Sequence, residues 1–229
     1  MQLCYTVYMY IISLIGAPCS GKGTSARALQ HEQHFHAIGA GDTLREYMKE
    51  TGDEFITNLV NNGRIVPVEI VWKLMRHKIE KILSHSQTQH TRILLDGFPR
   101  DQNQAEYLCE FLKHYPHAKV FFIELEVSDS ILLDRMMIRY ICDNTSCNYI
   151  SNNPNTQSHQ LCTTCSTGKM YRRKDDNAEI FEERLRVYHT NLKPLKEYLI
   201  SQKQKWVTIN AECTVEQMKT DLYNVCELT

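Results

Sequence analysis

The segment Gly16-Ala17-Pro18-Cys19-Ser20-Gly21-Lys22-Gly23-Thr24 constrains the fold of this chain more than any other stretch. An apolar, β-rich run, Tyr10-Ile11-Ile12-Ser13-Leu14-Ile15, leads into it, and Ser25-Ala26-Arg27-Ala28-Leu29 leaves it as the opening of a helix. This order of strand, small-residue turn and helix lets backbone N–H groups and the positive end of the helix converge on phosphate oxygens, with Lys22 able to reach the outer phosphates. An ordinary glycine-rich turn is the competing reading, but it does not account for a lysine beside the second glycine. Cys19, Ser20, Gly21, Lys22, Gly23 and Thr24 are therefore the candidate phosphate-binding residues. The usual motif places Ser or Thr directly after the lysine to hold Mg²⁺; here Gly23 stands there and the hydroxyl follows at Thr24.

A second signal is Arg92-Ile93-Leu94-Leu95-Asp96-Gly97-Phe98-Pro99-Arg100. An apolar strand ends in Asp96, a carboxylate suited to orient water on a phosphate-bound Mg²⁺, and a tight turn then projects Arg100. Together, GKGT and DGFPR resemble the adenylate kinase family of nucleoside monophosphate kinases. The resemblance runs from about Met9 to the end of the chain. One position departs from it: the family usually has glycine where Cys19 stands. If that position requires φ > 0, the cysteine is strained or the loop is altered.

The strands and helices alternate along the chain, which predicts an α/β fold: a parallel, doubly wound sheet with ligands at the C-terminal strand ends. The resemblance implies a P-loop NTPase-type core with a parallel five-stranded sheet and helices on both faces, built from residues 1–38, 67–137 and 177–229. Residues 39–66 would form a lobe for the accepting nucleotide, and 138–176 a lid. On the ATP side it implies the loop residues with Arg135, Arg139, Tyr149 and Cys213. On the AMP side it implies Ala40, Arg45, Arg64, Ile65, Val66, Gly97, Phe98, Pro99, Arg100, Gln104, Arg173 and Arg184. Lys22, Arg45, Arg100, Arg139, Arg173 and Arg184 would carry catalysis, Gln104 would read adenine, and Asp175 and Asp176 would latch the lid. The implied reaction is Mg-dependent phosphoryl transfer from ATP to AMP. Ala40, where adenylate kinases more often carry Thr, and the segment Ile65 to Ile70 keep a UMP/CMP kinase open as an alternative. A more remote alternative is a catalytically idle nucleotide-binding protein whose cysteine module touches nucleic acid.

Between the two pairs Cys142-x4-Cys147 and Cys162-x2-Cys165 lies a run rich in Asn, Ser and Thr. Four thiolates at such spacings are the composition of a structural zinc site able to hold a lobe that lacks its own core, with reduced free thiols as the alternative. It is similar to the long zinc-bearing lid of many bacterial adenylate kinases, except that the first pair has four intervening residues where the family has two. The chain has nine cysteines in all, an odd number, and clustering of this kind favours metal over disulfides in a reducing compartment.

Length and composition agree with one globular body: 229 residues, 42% hydrophobic, 26 Lys plus Arg against 27 Asp plus Glu. With no basic surplus, neither nucleic acid nor a membrane surface is the expected partner, and the expectation is a soluble cytoplasmic monomer acting on small nucleotides. The uncharged stretch up to Gly21 lacks the basic start of a targeting signal and is too short to span a bilayer; Met9 is a candidate functional start. Further along, residues 53 to 62 read as helical and Pro67 suits a first helical position. Residues 68 to 83 carry one apolar helix face, and residues 84 to 90 read as a surface loop. Ser128 and Thr214-Val215-Glu216-Gln217 read as helix starts, and Pro194 is expected to kink or end the helix that carries Arg184.

Overall fold

Strand β1 (Tyr8–Ile15) is apolar on both faces, the pattern of a strand inside a parallel sheet covered by helices on each side. Met9, Ile11 and Ile15 enter one apolar cluster, Ile12 and Leu14 the other. In this computed structural model, which describes residues 8–85, 90–144, 146–147, 149–173 and 176–228, β1 pairs with β3 (His90–Asp96) on one side and β4 (Lys119–Glu126) on the other. β2 (His36–Gly39) flanks β3 and β8 (Lys205–Asn210) flanks β4, giving the order β2-β3-β1-β4-β8 with every pairing parallel. The five-stranded parallel sheet expected from the sequence is thus the one that forms.

The first cluster is filled by α4 (Val68–His85), α5 (Gln102–Leu112) and α7 (Ala178–Ser201), through residues such as Met75, Ile79, Leu108, Leu195 and Leu199. The second is filled by α1 (Lys22–Gln33) and α8 (Val215–Val225), through Ala26, Leu29, Met218 and Leu222. Each fully buried Leu, Ile or Phe contributes about 1.5–3 kcal/mol of transfer free energy, so this double-sided core fixes the strand ends firmly. The register then sets the site: Leu14 lies beside Asp96, Gly39 beside Asp96, and Ile15 beside Glu124. The C-terminal ends of four strands finish along one edge.

Two smaller assemblies face that edge. From Gly39 the chain enters α2 (Ala40–Thr51) and α3 (Glu54–Asn61); the Asp53 carboxylate caps α3 by accepting from the Ile56 N–H at 3.0 Å. Beyond α6 (Asp129–Ile138), β5 (Tyr140–Cys142), β6 (Ile150–Ser151) and β7 (Met170–Tyr171) form a three-stranded antiparallel sheet. No helix among the described residues is long and apolar enough to cross a membrane.

Several local expectations are corrected. Pro67 precedes α4, its carbonyl accepting from Val71 N–H at 3.2 Å, so it caps the helix rather than opening it. Ser128 stands at the start of α6, but its side chain makes no cap; its N–H donates to Glu212 Oε1 at 2.6 Å instead. Half of the expected box at Thr214 forms, with Thr214 Oγ1 accepting from the Gln217 N–H at 3.2 Å, while the Gln217 side chain turns to Asp221. Pro194 neither ends nor divides α7, which runs 24 residues through it. Proline removes one hydrogen bond, but Leu195 and Leu199 beyond it are buried in the core, and that packing carries the helix on. The expected loop before β3 lies largely outside the described residues, as do residues 1–7.

A candidate nucleotide cleft and a four-cysteine centre

The turn between β1 and α1 is as tight as its small residues suggest. A Cβ at Gly16 would meet Ser20 Oγ at 2.5 Å, and Gly21 has φ 102°. Cys19 sits at φ 65°, so the residue that replaces the family's usual glycine holds a left-handed conformation costing roughly 1–3 kcal/mol. Two contacts stabilise it there. Its side chain packs against the cluster of Ala17, Leu132, Met136 and Phe181, and its carbonyl accepts from Arg135 Nη1 at 3.4 Å. Burial pushes the Cys19 thiol pKa up, which keeps it protonated.

Lys22 folds back over the loop, its Nζ donating to the carbonyls of Gly16 and Ala17 at 2.7 Å each. Desolvation lowers its pKa to about 8, with Arg100 and Arg139 adding repulsion and Asp96 opposing it. Asp96 ends β3 and its pKa is raised by burial, against the pull of Lys22. After Gly97 (φ 69°), Arg100 Nε donates to the Gly97 carbonyl at 3.0 Å. Gln104 is held inside this turn: its Oε1 accepts from the Arg100 N–H at 2.9 Å and its Nε2 donates to Asp101 Oδ2 at 3.2 Å.

Cations arrive from every side. Arg45 on α2 pairs with Asp42. Arg139, just past the end of α6, grips the buried Asp176 with two hydrogen bonds, one of them Nε to Oδ2 at 3.1 Å. Arg184 on α7 lies so close to Gly63 that a Cβ there would stand 2.8 Å from its Cγ. The Arg100 pKa is lowered by desolvation and then by Arg184, Arg45 and Arg173, so these guanidiniums share one field. An enclosure with this many cations demands an anion of high charge.

The result is an open cleft of about 1800 Å³, counting its mouth. Of the residues singled out from the sequence, Cys19, Gly21, Lys22, Gly23, Thr24, Ala40, Arg45, Arg64, Ile65, Val66, Asp96, Gly97, Pro99, Arg100, Gln104, Arg139, Arg173 and Arg184 line it. Five do not. Ser20 is buried beneath the loop, and Phe98 is buried in the core, stacked on Trp72 at 6.2 Å. Arg135 ties the Cys19 carbonyl to the Ala211 carbonyl, the latter at 2.8 Å. Tyr149 lies under Arg27, and Cys213 donates to the Asn210 carbonyl at 3.4 Å. Asp175 lies outside the described residues. Sequence reading missed Asp42, Ile150 and Asn152 on the wall, together with Val187. Val187 had a signal, since it follows Arg184 at i+3 on the same helix face; nothing in the sequence marks Asn152.

The sulfurs of Cys142, Cys147, Cys162 and Cys165 all lie within 4.8 Å of one another, with Cys142 to Cys165 at 3.7 Å and Cys147 to Cys162 at 3.8 Å. An ion bonded at about 2.3 Å to four tetrahedral thiolates sets them about 3.8 Å apart, so the donor set fits such a metal. The irregular Cys142-x4-Cys147 spacing does not prevent this. Gly168 is required by the closeness: a Cβ there would meet Cys142 Sγ at 2.3 Å. Donors already aim at the sulfurs, with Gly168 N–H on Cys165 Sγ at 3.3 Å and Thr164 N–H on Cys162 Sγ at 3.4 Å. The Thr167 hydroxyl and the Gly168 and Thr167 N–H groups lower the Cys165 thiol to about 5.

The family model described as "Adenylate kinase" matches residues 14–204. Among curated relatives, the adenylate kinase of Chlamydia trachomatis serovar D is 35% identical over 216 residues, covering 90% of this chain and 85% of that protein. The adenylate kinase of Borrelia garinii subsp. bavariensis is 32% identical over 215 residues, 92% and 95% of the two chains. That of Rickettsia typhi is 28% identical over 220 residues, 95% and 99%.

Proposed function

The chain belongs to the adenylate kinase family, and from that premise we propose that it catalyses reversible phosphoryl transfer, ATP + AMP to two ADP. The observation that carries this reading is the meeting of the phosphate loop with Lys22, Arg45, Arg100, Arg139, Arg173 and Arg184 around one cleft. Phosphoryl transfer asks a protein for in-line placement of two mutually repelling anions and for positive charge where the transferring group spreads its own. Lys22 would exchange its two loop carbonyls for the outer phosphates of ATP. Arg45, Arg100 and Arg184 would hold the acceptor phosphate, and Arg139 and Arg173 would close on the transferring group from the lid side. Mg²⁺ carried with ATP supplies charge neutralisation between its phosphates, with Asp96 and Thr24 as the residues to orient it.

In this reading residues 39–66 are the acceptor lobe and 138–176 the lid, folded over a core of 1–38, 67–137 and 177–229. Lid closure excludes water, so that ATP is transferred and not hydrolysed. The four cysteines hold structural Zn²⁺, which supplies cross-links to a lid whose own apolar cluster is small. Reduced thiolates of this kind suit a reducing cytoplasmic compartment, where we read the chain as acting as a monomer. The test is a coupled assay with Mg-ATP and AMP, UMP or CMP as acceptor. ADP formation with a clear AMP preference is expected. UMP or CMP preference would mean that Ala40, on the cleft wall, outweighs Gln104, whose amide is already engaged by Arg100 and Asp101. ATP binding without transfer would refute the kinase reading.

A further inference from the structure

The cysteine centre does not stand apart from the helix that begins at the phosphate loop. Gly23, Arg27 and His31 follow at i, i+4 and i+8 and form one stripe along α1. At Gly23 a Cβ would stand 3.0 Å from Ile150 Cδ1 of β6. Arg27 and His31 share the walls of a small cleft with Ser146, Cys147, Thr164 and Cys165. The Arg27 guanidinium lies 5.3 Å over the Tyr149 ring, and its Nε is buried with no hydrogen-bond partner among the described residues.

An unsatisfied buried guanidinium nitrogen costs free energy unless something nearby compensates it. Four thiolates around a divalent ion leave two negative charges in excess, and that fixed charge faces Arg27 across the small cleft. We infer that Arg27 is a positioning residue that docks the metal-loaded cysteine centre onto α1, so that metal occupancy and lid closure over the phosphate loop are coupled. The inference rests on the zinc reading above. Coupling of this kind is reciprocal: a bound ion favours the docked lid, and nucleotides that close the lid must retain the ion. Without the ion the four sulfurs are no longer held as one cluster facing Arg27, which makes the metal a regulator of closure as well as a cross-link.

The test times Zn²⁺ transfer from the full chain, loaded with one equivalent, to a chromophoric chelator, with and without a non-hydrolysable ATP analogue plus AMP. In the wild type the nucleotides are expected to slow release about tenfold or more. In Arg27→Met the slowing falls below about twofold, while Arg27→Lys, which keeps the charge without the planar stack, retains an intermediate effect. Circular dichroism and zinc stoichiometry establish that each variant is folded and loaded. Full nucleotide-dependent slowing in Arg27→Met overturns the inference, as does a wild type whose release ignores nucleotides. A chain that takes up no Zn²⁺ overturns the metal reading and the docking with it, and stoichiometry tells this apart from failure of docking alone. Failure of the kinase reading shows separately, as absence of ADP in the coupled assay.

Discussion

On the reading proposed above, the cleft and the cysteine centre are both ion sites, built in opposite ways. The cleft gathers backbone N–H groups, Lys22 and six arginines around strand ends held by two large apolar clusters. The cysteine centre sits on three short strands whose apolar cluster, among the described residues, buries Cys142, Cys162 and Met170. A core that already stands can tolerate mutually repelling cations, because the folding free energy comes from elsewhere. On the zinc reading, a lobe with so small a core draws on its ion in order to fold. If both readings hold, charge in the cleft serves chemistry at a cost in stability, whereas charge at the cysteine centre serves stability and only through it chemistry.

The largest effect should therefore fall on rate in one region and on structure in the other. Arg100→Ala is expected to lower kcat by on the order of 10² or more, with the thermal unfolding midpoint within a few degrees of wild type. Arg139→Ala should behave alike in rate, although it also strands the buried Asp176 and so loses some stability. Near-normal turnover in either would remove that residue from the mechanism. Chelation of the metal should instead abolish protection of residues 138–176 from limited proteolysis while the core transition persists. Turnover should fall about tenfold or more and return with Zn²⁺. A chelated lid that stays protease-resistant would erase the contrast between the two regions.

A smaller effect follows from Lys22. Desolvation holds its pKa near 8, below the ordinary 10.5, whereas a bound polyphosphate favours the charged form. The charged lysine is half present at pH 8 and predominates below it, and above that the free protein must take up a proton to bind. The Kd for ATP should then rise about tenfold between pH 7 and pH 9, a one-unit loss beyond the pKa. Calorimetry in buffers of different ionisation enthalpy should show proton uptake above pH 8. A flat profile would mean that Lys22 keeps its charge throughout.

How much of this was readable in advance also differs by region. The phosphate loop, the DGFPR turn and the cysteine spacings are local, and local patterns survive in a single sequence. So do both faces of β1, since a strand apolar throughout can only be buried on both sides. What could not be read depends on neighbours distant in the chain. Pro194 was expected to break α7, but packing at Leu195 and Leu199 decides otherwise. Arg135 was expected on the ATP side, but its ties to Cys19 and Ala211, partners 116 and 76 positions away, could not be read. Asn152 reaches the cleft only because β6 folds over the loop, and the contact of Tyr149 with Arg27 has the same origin.

The smallest effect tests whether strain belongs to the cleft at all. At an ordinary position with negative φ, glycine is less stable than alanine by roughly 0.5–1 kcal/mol because it loses more backbone freedom on folding. At Cys19, with φ 65°, alanine keeps the left-handed penalty while glycine escapes it. Both substitutions lose the sulfur from the cluster of Ala17, Leu132, Met136 and Phe181, and glycine also loses the Cβ, worth about 0.8 kcal/mol at most, which relief of a left-handed penalty of about 1–2 kcal/mol offsets. Cys19→Gly should therefore unfold at the same denaturant midpoint as Cys19→Ala or above it, reversing the usual order. Alanine more stable by about 1 kcal/mol would show that the loop holds Cys19 without strain. The cleft would then be as relaxed as the core beneath it, and the cost of assembling it would lie in its cations alone.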